Sequence, residues 1–194
     1  MQTSKATHTR STTSSRKTAS TVAHKDNAIS ILMEDHAKVK KLFKEFEKLS
    51  KKEDDGKVDV ANMICMELSV HAKAEEEVFY PAARMAIDDE DLLNEAEVEH
   101  DTAKNLIAQI QTMSPNDEMY DAKVTVLGEY INHHVEEEET EMFPKMRKAK
   151  VDLNELGLRL KMKKAETMNK LLSPTGKVNR DLLKQAAIEA ASKH

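Results

Sequence analysis

A repeated pattern of histidine, glutamate and proline constrains the fold of this chain more than any other sequence feature. In each copy a histidine stands four residues before a glutamate and ten before a proline. The copies are His71, Glu75 and Pro81, and sixty-three positions later His134, Glu138 and Pro144. Residues four apart lie on one face of a helix. Each copy therefore points an imidazole and a carboxylate in one direction, and two such helices face to face would form a cage of nitrogen and oxygen ligands.

Two further histidines extend the repeat. His36 and His100 are sixty-four positions apart, and each follows an acidic residue and precedes a lysine by four positions. Each lies in the middle of an apolar face whose members recur every three or four residues, as in an amphipathic helix. Two helical hairpins related by a pseudo-two-fold axis would bring all four histidines together. The sequence predicts an all-α, up-down-up-down four-helix bundle with one inward histidine per helix.

Composition agrees with a helical fold. The chain of 194 residues is 39% hydrophobic and 34% charged, and it has four Gly, four Pro and no Trp. Few turn formers mean long elements. We predict bundle helices near 27–51, 57–87, 91–113 and 117–149, and C-terminal helices near 152–172 and 179–193.

Three segments follow from this reading. Residues 1–26 are basic and rich in Ser and Thr, with too few apolar residues to fold, so we expect a disordered tail. Residues 27–149 form the bundle. Residues 150–194 form a helical extension without a ligand set of its own, which packs on the bundle or on a protein partner.

Bulk properties limit the partners. A net charge of −5 argues against nucleic acid as the main partner. No apolar run reaches the length of about 18 residues that a membrane span needs. The single cysteine, Cys65, cannot form an internal disulfide and lies in an apolar helical pattern. We expect a small buried hydrophobe there and a reducing, cytoplasmic location.

The cage itself favours a metal. A buried, unpaired carboxylate costs several kcal/mol, and two close carboxylates repel each other. A bound dication removes both penalties. The predicted ligands are His36, His71, Glu75, His100, His134 and Glu138.

Four imidazoles and two carboxylates suit two ions better than one. We assign His36 and His71 to one ion and His100 and His134 to the other, with both glutamates between them. The sequence alone leaves the alternative cross-pairing open. Imidazole with carboxylate suits iron, manganese or zinc. The absence of thiolate ligands excludes the usual closed structural zinc sites.

Neighbouring polar residues are expected to be ordinary surface groups. The solvated acidic flank comprises Glu76, Glu77, Glu136, Glu137, Glu139 and Glu141. His133 is expected at a helix edge and Lys104 on the surface. Pro81 and Pro144 each remove one backbone hydrogen bond and should kink or loosen the helix just past the ligands.

The order H…HxxxE…H…HxxxE, with Phe/Tyr-Pro after each HxxxE, resembles the hemerythrin-like domains, also called HHE cation-binding domains, over roughly residues 27–149. That resemblance implies a four-helix bundle with a non-haem di-iron centre at the six positions named above. Two iron ions are therefore expected, with manganese or zinc as weaker alternatives. The sequence departs from the oxygen-carrying hemerythrins, which have another histidine where this chain has Lys104 and an aspartate, five residues after the fourth-helix histidine, in place of Glu138. These differences argue against simple reversible oxygen carriage.

Three functions remain open from the sequence. The first is a non-enzymatic di-iron protein that binds or senses O2, NO or iron itself. The second is a di-iron redox enzyme, such as an oxidase, a peroxidase or a nitric-oxide-reducing centre. The third is an interaction bundle whose metal only holds the fold. We expect a binding protein rather than an enzyme, because no substrate motif or electron-donor domain accompanies the cage.

Overall fold

The computed structural model describes residues 26–52 and 56–192, so the predicted disordered tail lies outside the described residues except for Asp26. The bundle helices are α1 (Ala28–Ser50), α2 (Gly56–Ala74), α3 (Tyr80–Ala86), α4 (Glu90–Thr112), α5 (Tyr120–Glu137) and α6 (Phe143–Lys148). The extension contains α7 (Leu153–Leu171) and α8 (Arg180–Ala191). Five-residue π-helical segments, π1 (Glu75–Phe79) and π2 (Glu138–Met142), join α2 to α3 and α5 to α6.

The predicted all-α four-helix bundle is confirmed. Helix α1 packs on α2 and on α5, and α4 packs on α5 and on α2, so the four helices form a closed bundle.

Local sequence sets where these helices begin. The side chain of Asn27 accepts a hydrogen bond from the Ser30 N–H at 3.0 Å and starts α1, and Asp89 caps α4 in the same way.

The two π segments begin at the predicted ligands. The Tyr80 N–H donates to the carbonyl of Glu75, and the Phe143 N–H donates to the carbonyl of Glu138, five residues back in each case. Such π bulges are frequent at functional sites. The expected irregularity is present, but it begins at the glutamate and ends before the proline.

The π segments also shift the helix register. A regular helix predicted Ala82 on the inward face with Val78. Because π1 holds one more residue per turn, Ala83 is instead the fully buried residue. Ala82 is only partly buried beside the same hydrophobic cluster as Ala83.

Two hydrophobic clusters enclose a polar layer. One contains Leu32, Phe79 and Leu93, and the other contains Ile64, Ile107 and Leu127. The extension contributes to both, since Leu160 of α7 joins the first cluster and Leu183 of α8 joins the second. The extension therefore shares the core of the bundle, and its boundary at residue 150 stays a prediction.

Helix α7 approaches α1 closely through a glycine. A Cβ atom on Gly157 would lie 2.5 Å from the carbonyl oxygen of Asp26 and 2.9 Å from the Ala28 nitrogen. Only glycine allows the two backbones to come this near.

In the described part of the chain, no helix has both the length and the apolar character that crossing a membrane requires. Cys65 is buried, and burial raises the pKa of its thiol to about 12. This fits the interpretation of Cys65 as a small core residue.

Candidate metal centre

The six predicted ligands lie together in the polar layer. Their exposed fractions run from 0% for Glu75 to 6% for His71. His36 comes from α1, His71 from α2, His100 from α4 and His134 from α5, while the glutamates start the π segments. Each of the four bundle helices thus contributes one imidazole to the layer, as the sequence predicted.

Their donor atoms form two groups that share a carboxylate. One group is His36, His71, Glu75 and Glu138; the other is Glu75, His100 and His134. Within each group the ligand atoms lie within 4.8 Å of one another. The grouping matches the pairing of His36 with His71 and of His100 with His134.

Each glutamate reaches one histidine of each pair. Glu75 Oε2 lies 3.0 Å from His71 Nε2 and 3.4 Å from His100 Nε2. Glu138 Oε2 lies 3.3 Å from His36 Nε2 and 3.6 Å from His134 Nε2. Both carboxylates therefore lie between the two pairs, but only Glu75 belongs to both donor groups, because Glu138 lies nearer to His36 than to His134.

Several of the donor atoms lack hydrogen-bond partners, whereas His100 Nε2 lies 3.1 Å from both the Tyr80 hydroxyl and His134 Nε2. Buried atoms without such a partner include His36 Nε2, His71 Nε2, both carboxylate oxygens of Glu75 and Glu138 Oε2. Buried polar atoms in folded proteins are nearly always paired. Unpaired nitrogen and oxygen donors grouped within 4.8 Å of one another are what a metal ion satisfies, so the residues present fit a metal.

Burial and charged neighbours shift the pKa values of the ligand residues in opposite directions. Burial lowers the pKa of His71, but the Glu75 carboxylate and then Asp35 outweigh it and raise that pKa to about 10. For His100, Glu75 and Glu76 likewise outweigh burial, and the pKa rises to about 9. Burial raises the pKa of Glu75, yet His71 and His100 bring it well below its usual range. The buried carboxylates are thus stabilised by nearby positive charge, which either protonated histidines or a bound cation can supply.

An outer shell of four carboxylates holds the imidazoles. Every Nδ1 has an acidic partner: His36 with Glu139 at 2.8 Å, His71 with Asp35 at 3.3 Å, His100 with Glu76 at 3.0 Å and His134 with Glu99 at 2.7 Å. An ionised carboxylate only accepts hydrogen bonds, so each Nδ1 carries the proton. Once a cation takes the place of the second proton, the Nε2 lone pair faces the centre, an arrangement typical of metal-binding histidines.

Part of this shell corrects the sequence interpretation. Glu76 and Glu139 were predicted as solvated flank residues, yet each is partly buried and binds a histidine. Lys104 was predicted as a surface residue, but its side chain is only 15% exposed and pairs with Glu76 at 2.7 Å. Glu136 and Glu141 are exposed, as expected, and so is His133.

The sequence did carry a signal for the shell. An acidic residue precedes His36 and His100, and another follows Glu75 and Glu138. The repeat preserves all four, but helix periodicity turns neighbouring residues about 100° apart, which suggested solvent rather than the next helix.

A tyrosine also reaches the centre. The Tyr80 hydroxyl donates to Glu138 Oε1 at 3.0 Å and lies 3.1 Å from His100 Nε2. Burial and the nearby Glu138 charge raise the pKa of Tyr80 well above its usual range, so the hydroxyl keeps its proton. At the repeat position Phe143 stacks on His36, with ring centroids 5.7 Å apart.

The fold and the donor set define a class: helical bundles that carry a metal-binding layer of histidine and glutamate in their core. A model of the hemerythrin HHE cation-binding domain matches residues 27–146. The chain belongs to the hemerythrin HHE cation-binding domain family.

Two known proteins are similar. A crystal structure of a hemerythrin HHE cation-binding domain-containing protein from Mycobacterium kansasii superposes with a TM-score of 0.64 at 21% identity, covering 82% of this chain and 98% of that one. This likeness shows the fold. A protein of Nostoc sp. strain PCC 7120 named DNA nickase is 33% identical over 122 residues. The match covers 62% of this chain and 34% of that protein, so the chain spans about a third of its relative.

Proposed function

We propose that His36, His71, Glu75, His100, His134 and Glu138 hold a non-haem di-iron centre, through which the protein binds or senses O2, NO or iron itself. The single observation that carries this is the set of buried donor atoms without hydrogen-bond partners, which lie in two groups that share Glu75. Iron suits a ligand set of imidazoles and carboxylates. When bound, iron supplies coordination positions that a diatomic molecule can occupy.

The chain's own residues prepare this chemistry. The four outer carboxylates fix each imidazole in one tautomer and one orientation, which preorganises the donors before the cation arrives. The two hydrophobic clusters pack around the layer, and the six donor residues are at most 6% exposed. A preorganised, largely buried site lets a small ligand compete with water for an open position.

A di-iron redox enzyme is the second candidate, and Tyr80 is the observation that favours it. Its hydroxyl is a protonated donor within hydrogen-bond distance of Glu138 and His100. Such a group can donate a hydrogen bond to the oxygen of a bound peroxide or nitric oxide while keeping its proton.

We further propose a cytoplasmic location, supported by the lone thiol of Cys65, which suits a reducing compartment. That nucleic acid is not the main partner stays a prediction.

The test is metal analysis combined with optical spectroscopy on protein purified without oxygen. We expect two irons per chain and an absorption change when O2 or NO is added. Loss of that change in Glu75→Gln, with Glu141→Gln unaffected, would tie the signal to the centre, because Glu141 lies on the same π segment as Glu138 and is exposed. Protein that takes up no iron under anaerobic loading would overturn the proposal. Rapid turnover of peroxide or NO would favour the enzyme instead, and metal that affects only thermal stability would favour a structural role.

A further inference from the structure

A second cluster of possible metal ligands lies outside the centre, where α4 packs on α5. It consists of Glu99 of α4 with His133 and Glu137 of α5. One ligand atom from each of the three residues lies within 4.8 Å of the other two. The cluster therefore offers one imidazole nitrogen and two carboxylate oxygens, a donor set that suits first-row divalent cations.

The contacts of His133 in this cluster are longer than hydrogen bonds. Its Nε2 lies 3.5 Å from Glu137 Oε1 and 3.9 Å from Glu99 Oε1, whereas N–H···O hydrogen bonds span about 2.7–3.2 Å. Zinc binds imidazole nitrogen and carboxylate oxygen at about 2.0–2.2 Å with tetrahedral angles, which separates two ligand atoms by about 3.4 Å. The observed distances are closer to those of atoms that share an ion than to those of atoms that share a proton.

Glu99 connects this cluster to the centre. Its side chain is only 7% exposed, and its Oε2 accepts the hydrogen bond from His134 Nδ1 at 2.7 Å. Its Oε1 faces His133. One oxygen of this buried carboxylate is therefore used by the centre, and the other is available to a cation at the surface.

The internal repeat shows what Glu99 lacks. Its counterpart is Asp35, sixty-four positions earlier, which binds His71 and also accepts from the ammonium group of Lys164. In the described part of the chain, the ion pairs of Glu99 are with histidines, and none is with lysine or arginine. The place that an ammonium group takes beside Asp35 is thus open to a metal ion beside Glu99.

The two residues of α5 also depart from the repeat. Their counterparts sixty-three positions earlier are Val70 and Ala74, which are both buried. His133 and Glu137 are four residues apart and therefore share a helix face. Their side chains are 62% and 27% exposed. The second half of the chain thus carries an additional histidine–glutamate pair, one residue before the pair of the centre, and directs it toward solvent.

We propose that Glu99, His133 and Glu137 bind a first-row divalent cation of the Zn2+ type as a third site beside the centre. Water completes the coordination, because the two residues of α5 are open to solvent. The imidazole nitrogen selects such a cation over Mg2+ and Ca2+, which take oxygen ligands. The site does not require the proposed di-metal centre, since none of its three residues is a ligand there.

Isothermal titration calorimetry of the full-length protein with Zn2+ tests the proposal. Glu75→Ala, which should empty the centre, allows the third site to be measured alone, and we expect it to bind one Zn2+ per chain. Adding His133→Gln should weaken that binding at least about tenfold, because loss of even an outer partner of a ligand costs about 10- to 100-fold. The parent protein should likewise bind one Zn2+ fewer after His133→Gln.

A matched variant and a spectroscopic signal locate the ion. His24→Gln makes the same change at a histidine of the N-terminal segment and should leave Zn2+ binding unchanged. In long-range 1H–15N NMR spectra, the ring signals of His133, identified by their absence in His133→Gln, should shift with Zn2+ and stay unchanged with Mg2+. Circular dichroism establishes that each variant folds.

Zn2+ binding that is unaffected by His133→Gln, or weakened equally by His24→Gln, would overturn the inference. Zn2+ binding that is lost in His133→Gln but unaffected by Glu75→Ala would instead overturn the proposed centre and leave the third site in place.

Discussion

The His36/His71 pair and the His100/His134 pair come from repeated sequence, yet their surroundings differ. Both pairs have acidic partners at Nδ1 and share Glu75. The ring that covers them differs: Phe143 stacks on His36, whereas Tyr80 places a hydroxyl 3.1 Å from His100 Nε2. One pair therefore lies against a purely apolar ring and the other against a hydrogen-bond donor.

The outer supports differ as well. Lys164, on α7 of the extension, donates to Asp35, the partner of His71. Lys104, on α4 of the bundle, pairs with Glu76, the partner of His100. The repeat thus supplies the same candidate ligands to both pairs, while the residues around them differ and would make two bound ions chemically distinct.

The largest expected effect is a difference in metal content between variants of the two glutamates, Glu75 and Glu138. Glu75 belongs to both donor groups, whereas Glu138 belongs only to the group of His36 and His71. We expect Glu75→Ala to lose both ions and Glu138→Ala to lose first the ion at His36 and His71. Metal content per chain after dialysis measures this, with Glu141→Ala as control. If the two variants retained the same amount of metal, Glu75 and Glu138 would have equivalent roles and the proposed difference between them would be wrong.

A second, smaller effect should come from the outer carboxylates. Asp35→Asn acts on His71, and Glu99→Gln acts on His134. Loss of such a partner typically weakens metal affinity by about 10- to 100-fold. Competition with a chromophoric chelator would show a weakened site in each variant. A variant with unchanged affinity would show that its carboxylate is not a support.

The pH dependence of the metal-free protein gives a third comparison. The folded-state pKa values of His71 and His100 are raised from 6.5 to about 10 and about 9. A raised pKa means that the proton stabilises the fold below the unfolded value and that this contribution is lost as pH rises through the folded value. We expect metal-free protein to lose stability between pH 6.5 and about 10.

Metal-loaded protein should lack this alkaline loss, because bound imidazoles carry no second proton. The lowered pKa of Glu75 acts at the other end, where stability falls as pH drops below its unfolded value of 4.5. Thermal unfolding of His71→Gln, His100→Gln and the exposed His133→Gln would assign the profile. A flat profile in the metal-free parent would contradict the assignment.

The smallest effect concerns the two rings. Tyr80→Phe gives both pairs an apolar ring, and Phe143→Tyr gives both a hydroxyl. Each change alters one hydrogen bond, worth roughly 0.5–1.5 kcal/mol in stability. Mössbauer spectra of the iron-loaded variants should show the two irons becoming more alike than in the parent. Spectra that do not change in Tyr80→Phe would show that the hydroxyl does not distinguish the irons.

The helices and the convergence of six side chains could be predicted because both follow from local periodicity. His71 and Glu75 share a face whatever the rest of the chain does, and the repeat carries the same face to His134 and Glu138. Turn and cap residues such as Asn27 then set helix ends to within a few residues. These features need no knowledge of what packs against what.

Only the tertiary structure decided which carboxylate serves which histidine. Asp35 binds His71 on the next helix and not its own neighbour His36, because side chains one residue apart diverge around a helix while facing helices bring distant ones together. The π register that buries Ala83 and the position of Glu99 beside His133 have the same origin. Both depend on how whole helices pack against each other. The residue pattern along a single helix does not specify which residues of other helices it will contact.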